Sequence, residues 1–134
     1  MTKHTRAVYD IAPVLPGHCL VMPIRHVLDI RQLGEAEILD MFEVIKKIAP
    51  ALLRLYNASD ESYSLTAQIG PYSGMSIRHL HLHFIPRNKD DIFQSSGSDI
   101  YYQIERSKKI SKEEMQRNVQ LLRSELEWSE DKGN

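Results

Sequence analysis

The sequence has little cysteine, no long apolar run and no excess of charge, and each shortage excludes a class of protein. Cys19 is the single cysteine among 134 residues, so neither an internal disulfide nor a cysteine-rich zinc site can form. No apolar run approaches the ~18–20 residues of a membrane span, and residues 1–6 lack the apolar segment of a signal peptide. The 17 basic and 18 acidic side chains give a net charge of −1, which argues against a DNA or RNA binder. We therefore expect a protein of the cytosol or nucleus, with no membrane and no nucleic-acid partner.

The length and hydrophobic content predict one folded domain. Hydrophobic residues make up 42% of the chain, which is typical of a soluble globular protein. A chain of this length removes roughly two-thirds of its unfolded surface from water when it folds. The prediction is a single domain over residues 1–134, with a polar tail at 129–134.

Hydrophobic periodicity predicts four strands and two helices. The expected strands cover residues 6–11, 18–24, 63–69 and 77–85. The expected helices cover 35–56, with a kink or short break at Pro50, and 113–128, with Ser111 as the N-cap. Segments rich in turn-forming residues separate them, including a polar loop at 86–98. Strands arranged in hairpins, with helices between them, predict an α+β fold with an antiparallel sheet and two main helices.

Three of the six histidines fall within five residues, at His79, His81 and His83. A strand over 77–85 has a side-chain period of two, so these imidazoles would share one face. The alternating apolar residues would point into the core; they are Leu80, Leu82 and Phe84.

Three imidazoles in register can bind a metal, perform nucleophilic and acid–base chemistry, or form a structural polar face. The structural reading is disfavoured, because stacking titratable rings brings repulsion and desolvation costs. The residues themselves leave metal binding and nucleophilic catalysis nearly even. The absence of a nearby acidic or cysteine ligand in the sequence slightly disfavours catalytic zinc.

Several motifs occur in an order that resembles the histidine-triad (HIT) superfamily of nucleotide hydrolases and transferases. The resemblance covers residues 7–106. The matching stretches are Asp10-Ile11-Ala12-Pro13, the segment 16–23 with His18, Gln68-Ile69-Gly70-Pro71, and the segment 79–85 with the three histidines. Together with Arg87, the segment 91–93 and the pair 100–101, they look most like the fragile-histidine-triad branch, the dinucleoside polyphosphate hydrolases.

The resemblance implies roles for four histidines. His81 would be the nucleophile, which attacks the α-phosphate and forms a covalent nucleotidyl-histidine that water then hydrolyses. His83 would contact the scissile phosphate and serve the leaving group, and His79 would support the triad together with His18. Protonated imidazoles beside the phosphoryl group would offset transition-state charge. The nucleophile's ring needs a partner on its other nitrogen, and the sequence does not show which group supplies it.

The resemblance also implies substrate contacts. Asp10 would hold the ribose hydroxyls and Ile11 would pack on the base. Further contacts to phosphate would come from the glycine-bearing loop and its flanks; the residues assigned there are His18, Gln68, Gly74, Met75 and Ser76. Met75 departs from the branch, which usually has a glutamine at this position, and methionine cannot donate a hydrogen bond. Only six residues precede Ala7, where the branch carries an extra strand that helps wall the base pocket.

By resemblance we expect a homodimer, no tightly bound cofactor and no protein-bound metal, with Mg²⁺ or Mn²⁺ required together with the nucleotide. The helical stripe over 38–55 would form core or dimer interface, and His4 and His26 read as surface residues. Three alternatives stay open: a nucleoside phosphoramidase or nucleoside-monophosphate hydrolase, a nucleotide-sensing interaction module, and an unrelated metal enzyme that uses the histidines as ligands.

Overall fold

The computed structural model describes residues 1–56, 61–75, 77–91 and 108–132, with side chains described up to Glu127. Four strands form one antiparallel sheet in the order β1-β2-β4-β3. They are β1 (Thr5–Tyr9), β2 (Cys19–Pro23), β3 (Ser62–Ala67) and β4 (Leu82–Arg87), with two long helices, α1 (Glu35–Tyr56) and α2 (Lys112–Lys132), and a short 3-10 helix at Ile30–Gln32. This architecture confirms the expected α+β fold. None of the described helices combines the length and apolar character needed to span a bilayer.

The sheet consists of two antiparallel pairs joined by a short seam. β1 and β2 pair over five residues each, from Thr5 opposite Pro23 to Tyr9 opposite Cys19. β3 and β4 pair over six, ending with Ala67 opposite Leu82. Between these units, β2 and β4 share only three residue pairs: Cys19 with Phe84, Leu20 with His83, and Val21 with Leu82. The seam is therefore the narrowest part of the sheet.

The helices cover one face of the sheet. Buried residues of α1 pack against Val21, Leu82 and Phe84, and α2 adds partly buried contacts to the same cluster. The buried set on α1 is Met41, Val44, Ile45, Ile48, Ala49, Ala51 and Leu52. Burial of each large aliphatic or aromatic side chain contributes about 1.5–3 kcal/mol. Because side chains alternate along a strand, His83 lies on the face of the sheet away from the helices.

Both helices begin with recognisable signals. Glu35 and Glu37 lie in the first turn of α1, where the helix dipole favours acidic side chains. The predicted N-cap of α2 is confirmed, since Ser111 Oγ accepts a hydrogen bond from Glu114 N–H at 3.1 Å. Helix α1 runs through Pro50 without a break, and α2 continues to Lys132. Residues 129–132, part of the expected polar tail, are helical.

The predicted apolar stripe on α1 divides into a buried and an exposed part. Met41 and Ile45 face the core, whereas Ile38 and Phe42 are 38% and 50% exposed. Leu39, beside them, is 63% exposed. This apolar surface belongs to neither core cluster of the described residues.

The predicted histidine strand is placed wrongly at its start. β4 begins at Leu82, not at residue 77, because Leu82 is the first residue along the chain with a ladder partner on both β2 and β3. At its other end β4 extends through Pro86, which pairs with Tyr63 of β3 and has no partner on β2. The first and third strands also differ from expectation, covering 5–9 and 62–67 instead of 6–11 and 63–69.

Candidate active site

Two imidazoles from the seam region lie side by side at the candidate site. His81 immediately precedes β4 and His83 lies within it. Their ring centroids are 4.8 Å apart with planes at 75°, and both side chains are buried, 3% and 2% exposed. The structure therefore brings together two of the three histidines predicted to act in catalysis.

A backbone carbonyl orients the ring of His81. His81 Nδ1 lies 2.7 Å from the carbonyl oxygen of His79. A carbonyl oxygen only accepts, so Nδ1 carries the proton and donates it. In the neutral ring the lone pair is then on Nε2. This arrangement supplies the orienting partner that the sequence left unidentified, and it leaves a nucleophilic nitrogen available.

A chain of hydrogen bonds sets the tautomer of His83. Val14 N–H donates to His18 Nδ1 at 3.1 Å, so the proton of the neutral His18 ring is on Nε2. His18 Nε2 lies 2.9 Å from His83 Nδ1, which must accept that proton's hydrogen bond. His83 therefore carries its own proton on Nε2. Within the described residues this buried atom has no hydrogen-bond partner, so it is a donor held in reserve.

Asp10 closes the site at the end of β1. Its Oδ1 accepts from the Ala12 N–H at 2.9 Å, and its Oδ2 lies 3.4 Å from His18 Nε2. Burial raises the pKa of this carboxyl, which the Ala12 hydrogen bond and the nearby His81 partly oppose. Backbone hydrogen bonds link Asp10 N to His18 O and His18 N to Leu15 O, and these fix the intervening loop.

Burial keeps the inner histidines neutral. Desolvation, followed by the neighbouring imidazoles, lowers the pKa of His18 to about 3. The same causes lower the pKa of His83 to about 4. The expectation of protonated imidazoles beside the phosphoryl group concerns the bound substrate and stays a prediction. In the free protein at neutral pH, both His18 and His83 are neutral. They act as fixed N–H donors, and the contact between His18 and Asp10 is not an ion pair.

His79 departs from the predicted arrangement. Its ring does not join the His81–His83 pair; it lies edge-on to His26, with centroids 5.3 Å apart, and its Nε2 donates to the Pro23 carbonyl at 2.7 Å. Because residues 77–81 precede β4, strand alternation does not apply to them, and the expected common face of three imidazoles is wrong. The alternating apolar residues behave as predicted; Leu80, Leu82 and Phe84 are all buried.

The predicted phosphate contacts lie around the glycine-bearing loop. Gln68 is buried, and its side-chain amide donates to the Ser73 carbonyl at 3.0 Å, so it holds the loop together. Gly74 has a φ of +85°, a conformation that favours glycine. Met75 lines a shallow depression of about 300 Å³ that Arg78 also borders. Whether these residues contact substrate stays a prediction.

Two further residues, Ile11 and Ser76, were predicted to contact the substrate. Ile11 follows Asp10, two residues after the end of β1, and is 55% exposed. No contact in the described residues assigns it to a base pocket. Ser76 lies outside the described residues, as do the motif residues 92–93 and 100–101.

Sequence reasoning missed two groups at the site. Val14 acts through its backbone N–H, which no side-chain pattern reports. His26 is exposed, as expected, but its Nε2 lies 2.6 Å from the carbonyl of Arg78, next to His79 in the chain. No sequence pattern signals this contact, because the two residues are 52 positions apart.

One group of three candidate metal ligands occurs in the described residues, formed by Asp10, His18 and His83 with ligand atoms within 4.8 Å of one another. The two nitrogens that face each other share a hydrogen bond at 2.9 Å. Zinc needs deprotonated nitrogens about 2.0–2.1 Å from the ion, so binding would break this bond and move the rings apart. The donor set as arranged fits a shared proton better than a cation.

Two curated relatives resemble this chain over most of its length. A bis(5'-nucleosyl)-tetraphosphatase (asymmetrical) of Schizosaccharomyces pombe is 32% identical over 106 residues, which is 79% of this chain and 56% of the relative. A bis(5'-adenosyl)-triphosphatase of Dictyostelium discoideum is 31% identical over 132 residues, 98% of this chain and 86% of the relative. The chain thus spans only about half of the first relative.

Solved structures and a family model agree with this relationship. A crystal structure of a hypothetical histidine triad nucleotide-binding protein from Sulfolobus tokodaii superposes with a TM-score of 0.75 at 25% identity, covering 95% of this chain and 80% of that one. The HIT domain model matches residues 1–90, about two-thirds of the chain. The family model and the curated relatives show that this chain, which carries the His81–His83 pair beside the seam of its sheet, belongs to the HIT family.

Proposed function

We propose that this protein hydrolyses dinucleoside polyphosphates, such as diadenosine triphosphate or tetraphosphate, through a nucleotidyl-histidine on His81. The carrying observation is the pair of complementary tautomers at the seam. His81 has its proton on Nδ1 and a free lone pair on Nε2, whereas His83 has its proton on Nε2. A nucleophile and a hydrogen-bond donor therefore lie in ring contact, which suits a two-step displacement at phosphorus.

In the first step, Nε2 of His81 attacks the α-phosphorus and forms a P–N bond. The bond from that phosphorus to the bridging oxygen breaks, and the neutral His83 ring donates a hydrogen bond from Nε2–H to the departing nucleotide, which leaves as an anion. In the second step, water attacks phosphorus as the P–N bond breaks, and the proton that the water loses passes to solvent. A nucleoside monophosphate leaves with His81 restored as the neutral ring.

The neutral state of His83 supports this donor role. Burial lowers the pKa of His83 to about 4, so at neutral pH the ring offers its Nε2–H without carrying a charge. The hydrogen bond from His18 keeps Nδ1 of His83 occupied, which leaves Nε2–H as the free donor of the ring. We place the ribose near Asp10, whose carboxylate is partly exposed at the same end of the seam.

The first test is hydrolysis of diadenosine triphosphate and tetraphosphate by the purified protein and by His81→Ala. We expect nucleoside monophosphate as one product, and a loss of at least about 10⁴-fold in kcat for the variant, because the nucleophile is gone. Rapid quench and intact-mass measurement should trap wild-type protein carrying one nucleoside monophosphate. His4→Ala, which changes a histidine outside the seam, is the matched control.

Specific outcomes would overturn this proposal. Turnover retained in His81→Ala contradicts the nucleophile, and faster cleavage of an adenosine phosphoramidate than of either dinucleotide makes the protein a phosphoramidase. Tight nucleotide binding without turnover would make it a sensor. Omission of Mg²⁺ and Mn²⁺ tests the expectation that the substrate acts as its metal complex. The two relatives are named for tetraphosphate and triphosphate substrates, so both chain lengths belong in the assay.

We also propose a homodimer that pairs through helix α1, in the cytosol or nucleus. The exposed apolar surface of Ile38, Leu39 and Phe42 supports this assembly, since contiguous apolar patches mark interaction sites. The buried free thiol of Cys19 fits a reducing compartment. Phe42→Glu should convert a dimer into a monomer by light scattering on a sizing column, with Lys46→Glu as the matched surface control. A monomeric wild type contradicts the proposal.

A further inference from the structure

The catalytic histidine lies just outside the sheet that holds its neighbour. β4 begins at Leu82, so the ladder pairs that position His83 do not extend to His81. The carbonyl that sets the tautomer of His81 belongs to His79, which precedes the start of β4 by three residues. The orientation of the nucleophile therefore depends on whatever fixes residues 78–80.

Among the described residues, three hydrogen bonds hold that segment, and all of them join it to the end of β2 or to the stretch that follows β2. The Leu80 N–H donates to Val27 O at 2.7 Å. The ring of His79 donates to Pro23 O at 2.7 Å. The third bond joins His26 Nε2 to the Arg78 carbonyl at 2.6 Å. Because a carbonyl only accepts, the His26 nitrogen is the donor.

These contacts bracket the carbonyl that orients the nucleophile. Val27 holds the peptide that carries the His79 carbonyl, through the Leu80 N–H of the same planar unit, and His26 holds the preceding peptide through Arg78 O. The two imidazoles of His26 and His79 pack edge-on, which limits movement of either ring. With the peptides before and after its Cα both held, the backbone torsions of His79 are fixed, and its carbonyl points toward His81 Nδ1.

We infer that His26 is a positioning residue for the reaction: its Nε2–H, by holding the Arg78 carbonyl, keeps the His79 carbonyl aimed at His81 and so keeps the His81 lone pair on Nε2. His26 itself is exposed and has no contact with His81 or His83 among the described residues. The expected effect of His26 on kcat rests on the proposed function, whereas its expected effect on the tautomer of His81 does not.

Two substitutions separate the donor from the ring. His26→Phe keeps an aromatic ring against His79 but removes the N–H, whereas His26→Gln supplies an amide N–H at similar reach without the ring. We expect kcat with diadenosine triphosphate to fall about 10- to 100-fold in His26→Phe, the range for a small misplacement of a reacting group, with KM unchanged. His26→Gln should restore kcat to near the wild-type value.

A second readout needs no substrate. In protein labelled with ¹⁵N in its histidines, the ring shifts should show His81 protonated on Nδ1 in the wild type and in His26→Gln. His26→Phe should show a mixture of both tautomers. His4→Phe, the same change at a histidine whose amide contacts Asp40, should leave the His81 signals and kcat unaltered. Assignment follows from the signal that disappears in His81→Ala.

The two readouts distinguish the possible failures. If wild-type protein hydrolyses no dinucleotide, the proposed function fails, and the ring shifts still decide the role of His26. An unchanged His81 tautomer in His26→Phe overturns the inference whatever the substrate. The inference is also overturned if His26→Gln loses as much kcat as His26→Phe while it still unfolds cooperatively in urea. The N–H donor would then not be the group on which activity depends.

Discussion

Two pairs of histidines, one within the candidate site and one beside it, differ mainly in how exposed their side chains are. His18 and His83 lie with ring centroids 5.1 Å apart, and His26 and His79 lie 5.3 Å apart. The first pair is buried, with both side chains at or below 2% exposure, whereas His26 is exposed and His79 only half-buried. Similar spacing of the same residue type therefore occurs in two different environments.

The difference shows how burial decides what an imidazole can do. In the inner pair, desolvation disfavours the charged form of both rings. His18 Nε2–H donates to His83 Nδ1, and this hydrogen bond fixes the tautomer of His83. In the outer pair, each ring donates to a backbone carbonyl, so the rings hold a chain segment in place. The inner pair determines which ring nitrogens carry protons, and the outer pair, by our inference, determines how the ring of His81 is oriented.

The sharpest way to break this comparison is His83→Phe, which preserves an aromatic side chain but removes the inner pair's free donor. We expect kcat on diadenosine triphosphate to fall by about 10²–10³-fold, the usual cost of removing one hydrogen-bond donor that stabilises developing negative charge. Replacing the substrate by the p-nitrophenyl ester of adenosine monophosphate, whose leaving group spreads its negative charge over the aromatic ring, should recover most of the lost rate of the first step. An equal loss on both substrates would contradict the donor role.

Stability against pH sharpens the comparison for His18. Its pKa is near 3 in the folded protein and about 6.5 in an unfolded chain, so between these values only the unfolded state binds the proton. The free energy of unfolding therefore rises with pH across this window and is lost on acidification, with a slope on the order of 1 kcal/mol per pH unit. His83 acts in the same direction, between pH 6.5 and about 4.

Urea unfolding of the wild type and His18→Phe at pH 7 and pH 5 measures this effect. The wild type should lose stability between the two values, and the variant should lose distinctly less, although it starts lower because the Val14 N–H loses its acceptor. His4→Phe serves as the matched control and should keep the wild-type dependence. Parallel pH dependence in His18→Phe would show that this residue is not titrating between the two states.

The smallest effect is expected from the outer pair. His79→Phe should lower kcat by about tenfold, because it removes one bond to the segment but no group at phosphorus. The double variant with His26→Phe should cost less than the two single changes together, since both rings hold the same segment. A loss as large as that of His83→Phe would mean that the side chain of His79 itself meets the substrate.

Much of the fold could be predicted from residue pattern. The helix periodicity over 35–56 gave α1 its observed bounds, and the alternation of Leu82 and Phe84 with His83 placed the core side of β4 correctly. The motif around His18 identified a fourth histidine at the site. These features are local, because side-chain period and capping depend on neighbours within a few residues.

The remainder depends on contacts between distant segments. The start of β4 is decided by where β2 and β3 end, which residues 77–81 do not encode. The tautomers of His81 and His83 follow from a backbone carbonyl and the Val14 N–H, and the neutrality of His83 follows from burial. Since His26 and Arg78 meet across 52 positions, their contact has no signature in the sequence.

The short seam of the sheet has a consequence for how activity arises during folding. Each antiparallel pair can form from chain segments that belong to it alone, but His18 precedes β2 in one pair and His83 lies on β4 in the other. They meet only across the three residue pairs that join β2 to β4. In a refolding experiment, recovery of turnover should therefore report the docking of the two halves, and it should lag behind signals that report the pairing of either one.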